Sequence, residues 1–186
     1  MTTAGEESPP GVPGALAGAG VEIVGFRPDY APAFRALNLE WLERWFCVEP
    51  LDEQVLDDPE REILKPGGDI LFARRAGRLV GTVALKHHGD GVYELTKMAV
   101  TAGCRGGGIG RRLLSAAVRR YQELGGRCLY LESHSSLAPA LHLYESAGFR
   151  HTRRKTASEY RRADVYMVYE GPGTPASRAL DSALSP

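Results

Sequence analysis

The sequence predicts one mixed α/β domain: a mostly antiparallel sheet flanked by helices, with a single βαβ unit at its centre. Three observations carry this. The chain has 186 residues, enough at ~150 residues per domain for one domain with tails. Its apolar residues change several times between strand alternation and helical spacing. A Gly-rich run joins a strand pattern to a long helical pattern. With 43% hydrophobic residues, the chain can bury a core without disulfides or metals.

Each element has its own signal. Val21–Arg27 alternates and meets Pro28, which predicts a first strand. Phe34, Leu37, Leu39, Leu42 and Phe46 mark a helix over 31–46, with Trp41 and Trp45 assigned to the core. A second helix falls within 51–64 and bends near Pro59, and Lys65-Pro66-Gly67-Gly68 stops it. Residues 69–75 and 78–86 read as a hairpin with Gly77 in its turn. His87–Gly91 is a further turn and Val92–Val100 a strand. The Gly-rich loop 103–110 then opens a helix through Leu124, capped by Gly125-Gly126. Arg127–Ser133 is a strand, Pro139–Ala147 a helix stopped by Gly148, and 149–156 and 163–170 are two last strands. The βαβ unit over 92–133 is expected to be parallel or splayed, and the other pairings mostly antiparallel.

Composition excludes several function classes. The 23 basic and 23 acidic side chains cancel, so bulk charge draws the chain neither to nucleic acid nor to a membrane surface. Cys47, Cys104 and Cys128 are odd in number and unpaired in spacing, which argues against a disulfide framework or a Cys-based zinc site and points to a reducing cytoplasm. There is no apolar run of ~18 residues to cross a membrane. Residues 1–20 are rich in Gly, Pro and Ala and are expected to be a disordered tail. Glu6 and Glu7 stand where a signal peptide needs basic residues. The composition from 171 to 186 is similar and predicts a second flexible tail, leaving 21–170 as the folded domain.

The Gly-rich run carries the chemistry. A strand ends at Val100, and Arg105-Gly106-Gly107-Gly108-Ile109-Gly110 leads into the next helix. Amides at a helix N-terminus are unsatisfied and the helix dipole adds partial positive charge. Glycines let backbone approach a phosphate, so the run predicts an anion site suited to a pyrophosphate. The alternative is a turn that only enters a helix. No Lys-Ser/Thr follows the glycines, so this is not a Walker loop, and the preceding meander is not the opening of a dinucleotide fold.

These residues resemble the GNAT superfamily of acyl-CoA N-acyltransferases. Arg105–Gly110 matches the family's Arg/Gln-x-x-Gly-x-Gly/Ala loop. Ala140-Leu-His-Leu-Tyr144-Glu-Ser-Ala-Gly148-Phe149 matches its second signature, and the spacing between the two also fits. The resemblance implies a GNAT-like sheet with a central acyl-CoA-binding βαβ unit. It implies acetyl-CoA as cosubstrate, needing no metal. The pantetheine arm would run along Met98, Ala99 and Val100, one of whose amides would polarise the thioester carbonyl. The pyrophosphate would meet the amides of Arg105, Gly106, Gly107, Gly108, Ile109 and Gly110, with Arg111 and Arg112 supplying charge. The family often has proline at Ala102 and a basic residue at Gly107. It often has Asn at Leu137, for which Ser133, Ser135 or Ser136 would substitute.

Tyr144 is implied as the general acid for the departing thiolate. A phenol, with pKa ~10, stays protonated at neutral pH, and a thiolate of pKa ~8.5 already leaves well. A hydrogen bond therefore suffices. The base matters more, because a lysine-like amine costs roughly 4–5 kcal/mol to neutralise at pH 7 and an α-amine about 1. Glu94 is the candidate, with Glu132 on the neighbouring strand as runner-up and His134 as a proton shuttle. Tyr144 and Glu94 could alternatively be a core tyrosine and a salt-bridged glutamate.

The acceptor is less determined. Nine acidic residues (40, 43, 49, 52, 53, 57, 58, 60, 62) lie between Glu40 and Glu62, against Arg44 and Arg61. In the GNAT arrangement this segment walls the acceptor cleft, and Glu49 and Asp52 are the expected substrate-facing residues. Most of the other charges read as a solvated face. Arg150, Arg153, Arg154, Lys155, Arg161 and Arg162 add positive charge near the other end. A cleft acidic on one side and basic on the other suits a small amine or amino acid. Acetylation of a protein lysine or N-terminus is the alternative, and a non-catalytic CoA-binding sensor or scaffold is a further one. His87 and His88 have no metal-ligand spacing. Many family members are dimers, so a homodimer is expected.

Overall fold

The computed structural model describes residues 20–154 and 158–171. The two tails expected at 1–20 and 171–186 lie outside them, apart from Gly20 and Gly171, and so do Lys155 and Thr156.

The chain runs β1 (Val21–Gly25), α1 (Ala31–Trp45), α2 (Pro50–Asp57), β2 (Asp69–Arg75), β3 (Arg78–His87), β4 (Val92–Val100), α3 (Ile109–Glu123), β5 (Cys128–Ser133), α4 (Ala138–Ser146), β6 (Phe149–His151) and β7 (Val165–Tyr169). Pro59 follows the end of α2, and a single π-helical turn, Glu60–Leu64, completes the bend. Proline's missing N–H makes that break. Ala76 and Gly77 both have positive φ, 48° and 76°, as a two-residue hairpin turn requires.

Seven strands form one sheet in the order β1-β2-β3-β4-β5-β7-β6. Only β4 and β5 are parallel; the other neighbours are antiparallel. Helices cover both faces. Leu113, Leu114 and Ala117 of α3 pack with Val83, Leu85, Leu95, Leu129 and Leu131. On the other face Phe34, Leu37 and Leu42 of α1 and Val55 and Leu56 of α2 pack with Ile70, Phe72 and Ala84. This double cover explains the unbroken burial from Val80 to Leu85 in β3.

Two irregularities of β4 place the site. Its pairing with β5 is confined to Val92–Glu94 against Cys128–Tyr130, after which the strands part. Against β3 the register slips: Thr82 faces Ala99, but Ala84 faces Thr96. The extra residue makes a bulge at Lys97–Met98, and Lys97 has φ of 50°. The parting of β4 and β5 opens a cleft into the sheet.

Two sequence expectations need correction. The strand expected over 149–156 ends at His151, because Arg154 turns inward to pair with Glu132 at 2.5 Å. Trp45, assigned to the core by its spacing, is 58% exposed. It lies on the last turn of α1, where the helix overhangs the cleft instead of the sheet.

Candidate active site

The cleft between β4 and β5 holds about 410 Å³. Its walls come from the end of α1, from Glu94–Val100, from Glu132–His134, from the start of α4 and from Tyr160 and Arg162. Met98, Ala99, Val100, Arg105, Glu94, Asp52 and Tyr144 all line it. Beyond Glu94 the β5-facing edge of β4 has no ladder partner among the described residues. Its main-chain groups are therefore available to a ligand.

The Gly-rich loop closes one end. Arg105 donates Nε to the Val100 carbonyl at 2.8 Å, tying the loop to the strand end. Gly106 and Gly108 take left-handed φ of 78° and 76°, a region that glycine enters without cost. Gly108 is the N-cap of α3, which has no side-chain cap and no acidic residue in its first turn. Arg105 through Gly108 are exposed, while Ile109 is buried against the sheet and Gly110 touches the α4 side, near Leu143. Open amides at an uncapped helix start fit a phosphate group. Arg111 is exposed beside them, whereas Arg112 donates to the Val21 carbonyl at 2.6 Å. Glu40 fixes the loop from behind: it accepts from Thr101 Oγ1 at 2.6 Å and from the Ala102 amide at 2.7 Å.

Tyr144 reaches the cleft from α4, its ring edge-on to Phe149 with centroids 6.1 Å apart. Its hydroxyl makes no hydrogen bond among the described residues. Burial pushes its pKa up to about 12. Glu94 sits where β4 and β5 part, 7% exposed, with Oε2 3.1 Å from His88 Nε2. Glu132 is otherwise engaged. It pairs with Arg154 at 2.5 Å and accepts a hydrogen bond from Ser158. His134 faces the cleft, but its Nδ1 lies 2.7 Å from Ser136 Oγ. Ser133, Ser136 and Leu137 line the cleft, whereas Ser135 bonds Asp164 through its amide and hydroxyl.

The expected acidic wall is dispersed. Of the nine acidic residues, only Asp52 lines the cleft. Asp57 and Glu62 pair with Arg35 and Arg61 on the surface. Asp52 is fully buried and accepts from Arg162 at 2.6 and 2.9 Å and from Lys97 at 3.1 Å. Burial alone would raise its pKa, but the Arg162 hydrogen bonds and the Lys97 charge outweigh it and hold the carboxyl below its ordinary value. Glu49 accepts from the amides of Arg161 and Arg162 and from the Arg162 guanidinium at 3.0 Å. These bonds fasten the segment 158–164 across α2. Beyond it lies a second cavity of about 190 Å³, lined by His88, Glu94, Tyr130, Glu132, Arg154, Glu159 and Tyr160. It shares Glu94, Glu132 and Tyr160 with the main cleft.

Residues 34–149 match the acetyltransferase (GNAT) family. The chain belongs to the GNAT family of acetyltransferases. It is 32% identical over 142 residues to the N-alpha-acetyltransferase RimI of Mycobacterium tuberculosis, across 70% of this chain and 87% of that protein. It is 38% identical over 88 residues to the IAA acetyltransferase of Azospirillum brasilense, across 47% and 58% of the two chains. Solved structures share the fold. A GNAT-family acetyltransferase from Staphylococcus aureus Mu50 superimposes with a TM-score of 0.74 at 21% identity, covering 81% of this chain and 98% of that one. The Salmonella typhimurium protein yncA, solved with its cofactor acetyl-CoA, gives 0.65 at 20% identity, covering 86% and 99%. Among the described residues of this GNAT enzyme no helix is long and apolar enough to cross a membrane, and no three His, Cys, Asp or Glu side chains converge as metal ligands.

The sequence motifs contain Tyr144 and the loop, and Glu94 was named from its place on the strand before the loop. Sequence reasoning missed Lys97 and Tyr160, and it named Glu40 and Arg162 only as members of an acidic and a basic group, without their partners. Each of these acts through a partner far away in the chain, so no local pattern marks it.

Proposed function

We propose that this enzyme transfers the acetyl group of acetyl-CoA to a primary amine by direct attack in a ternary complex. One observation carries the reading: Glu94, Tyr144 and the unpaired edge of β4 line a single cleft that ends at the uncapped Gly-rich loop. The residues fit the cosubstrate. Gly106, Gly107, Gly108 and the first amides of α3 would hold its pyrophosphate, and Met98–Val100 its pantetheine arm. Bound there, it supplies an activated acetyl group on a sulfur leaving group.

Glu94 takes the proton from the incoming ammonium, directly or through water, and His88 at 3.1 Å passes it towards solvent. An amide at the end of β4 stabilises charge on the carbonyl oxygen. Tyr144 donates a hydrogen bond to the sulfur. At pKa about 12, complete transfer of its proton to a thiolate of pKa ~8.5 would be uphill by about 5 kcal/mol. Tyr144 therefore stabilises the leaving group and solvent protonates it.

The acceptor end is small, polar and roofed by the fastened segment 158–164, which favours a small amine or amino acid. The likeness to RimI supports a second reading, transfer to the N-terminal amine of a protein. The test is thiol release from acetyl-CoA with a panel of amines, amino acids and short peptides, the N-acetyl product being identified by mass. Product with small amines and none with peptides is expected. Peptide-only product would favour the second reading, and no product from any amine would overturn both.

A further inference from the structure

Lys97 has no task in this mechanism, yet it is placed at a cost. It occupies the β4 bulge with φ of 50°, a left-handed conformation that side chains other than glycine rarely take. Its side chain is 5% exposed on the wall of the reaction cleft. Strain held at such a place suggests a role.

Its Nζ meets two groups, Asp52 Oδ1 at 3.1 Å and the Tyr160 hydroxyl at 2.7 Å. Burial pulls its pKa below the ordinary lysine value, and the Asp52 charge opposes this. Charge balance decides the protonation state. Arg162 binds both Glu49 and Asp52. With two carboxylates and one guanidinium, an ammonium on Lys97 makes the group neutral. A free amine would leave one negative charge there unmatched.

An ammonium donates three hydrogens and accepts none. The Tyr160 oxygen must therefore accept from Lys97, and its own proton must point elsewhere. No described residue accepts that proton. The ring cannot easily turn away. Lys97 and Arg162 each lie 4.7 Å from its centroid, and the Tyr160 amide donates to Ser158 Oγ at 3.0 Å. Tyr160 stands beside Glu94 and Glu132 on the wall common to both cavities. It is a fixed, unpartnered donor where an amine must come to reach Glu94.

We propose that Lys97 is a positioning residue that aims the Tyr160 hydroxyl proton at the acceptor, so that the enzyme selects amines carrying a carbonyl-type oxygen next to the aminated carbon. This rests on the acceptor end proposed above. The cluster of Glu49, Asp52, Lys97 and Arg162 is itself neutral, so its donor suits both the amide of an aminoacyl group and the carboxylate of an amino acid, the Glu94 charge beside it favouring the amide. A plain alkylamine leaves the donor unpaired and is disfavoured.

The test compares kcat/KM for alaninamide, alanine and isopropylamine in wild type, Tyr160→Phe, Lys97→Gln and Lys97→Arg. Acetyl-CoA affinity measured in parallel reports whether each variant is folded. Differences in amine basicity cancel when preference ratios are compared between enzymes. Wild type should prefer alaninamide or alanine over isopropylamine, and whichever is faster identifies the oxygen. Tyr160→Phe should reduce that preference by roughly tenfold to a hundredfold. Lys97→Gln should do the same, because the glutamine carbonyl can take the Tyr160 proton, and Lys97→Arg should restore most of the preference. An unchanged preference in Tyr160→Phe, or in a folded Lys97→Gln enzyme, overturns the inference alone. No acetylation of any of the three overturns it together with the acceptor reading.

Discussion

The raised pKa of Tyr144 has a kinetic consequence. A phenol with pKa about 12 stays protonated through the range in which enzymes are assayed, so it adds no alkaline fall to the pH–rate profile below about pH 11. Tyr144→Phe should lower kcat about tenfold to a hundredfold, the effect of one hydrogen bond to a developing charge, while changing the KM for acetyl-CoA little. Unchanged kcat in steady-state thiol release would leave Tyr144 as a packing residue against Phe149. At this scale the sequence was half legible. Tyr144 sits in a motif, and Glu94 precedes one by a countable distance. Lys97 lies three residues from Glu94, but nothing local shows that its backbone is left-handed or that its partners are 45 and 63 residues away.

The Gly-rich loop and β4 act as one element. Their glycines are not equivalent. A Cβ at Gly107 would meet nothing closer than the Cys104 carbonyl at 3.8 Å, and its φ is ordinary. Gly107→Lys should therefore leave the melting temperature unchanged and tighten acetyl-CoA binding by roughly twofold to fivefold, the size of an exposed charge contact. Gly108 has room for a Cβ but a φ of 76°. Gly108→Ala should cost about 1–2 kcal/mol in denaturant unfolding. Equal stability of the two variants would contradict this account of the loop. Strand and helix limits were readable from periodicity and turn residues, because local rules set them. The bulge was not, because it exists only as a mismatch between β3 and β4. Trp45 fits the spacing of a core residue, but its turn of α1 borders the cleft and leaves it exposed.

Across the molecule, the ion cluster of Glu49, Asp52, Lys97 and Arg162 joins α2, the β4 bulge and the segment before β7. Asp52→Asn would leave Arg162 paired with Glu49 and the buried Lys97 ammonium without a carboxylate, at a cost of about 3–5 kcal/mol. The pH dependence has a definite sign. The folded pKa of Asp52 is lowered, so its stabilisation is complete above the ordinary carboxylate value of ~3.9 and is lost as pH falls through the lower folded value. The stability gap between wild type and Asp52→Asn should narrow in urea titrations as pH is taken from 5 towards 2; a constant gap would contradict the pairing. The mixed sheet and its family were legible because two motifs and their spacing encode them. The acceptor end was not. Its walls are assembled from α2, β4 and the 158–164 segment, and acidic residues that look like one patch in sequence are turned to different partners in space. The proposed chemistry depends above all on Glu94 as the base, and the pH profile of kcat/KM for wild type and Glu94→Gln tests that role most directly. We expect the rate of Glu94→Gln to fall by about 10²–10⁴ at neutral pH and to keep rising with pH towards the pKa of the amine itself, whereas wild type levels off at lower pH. The same profile and rate in both enzymes would contradict it.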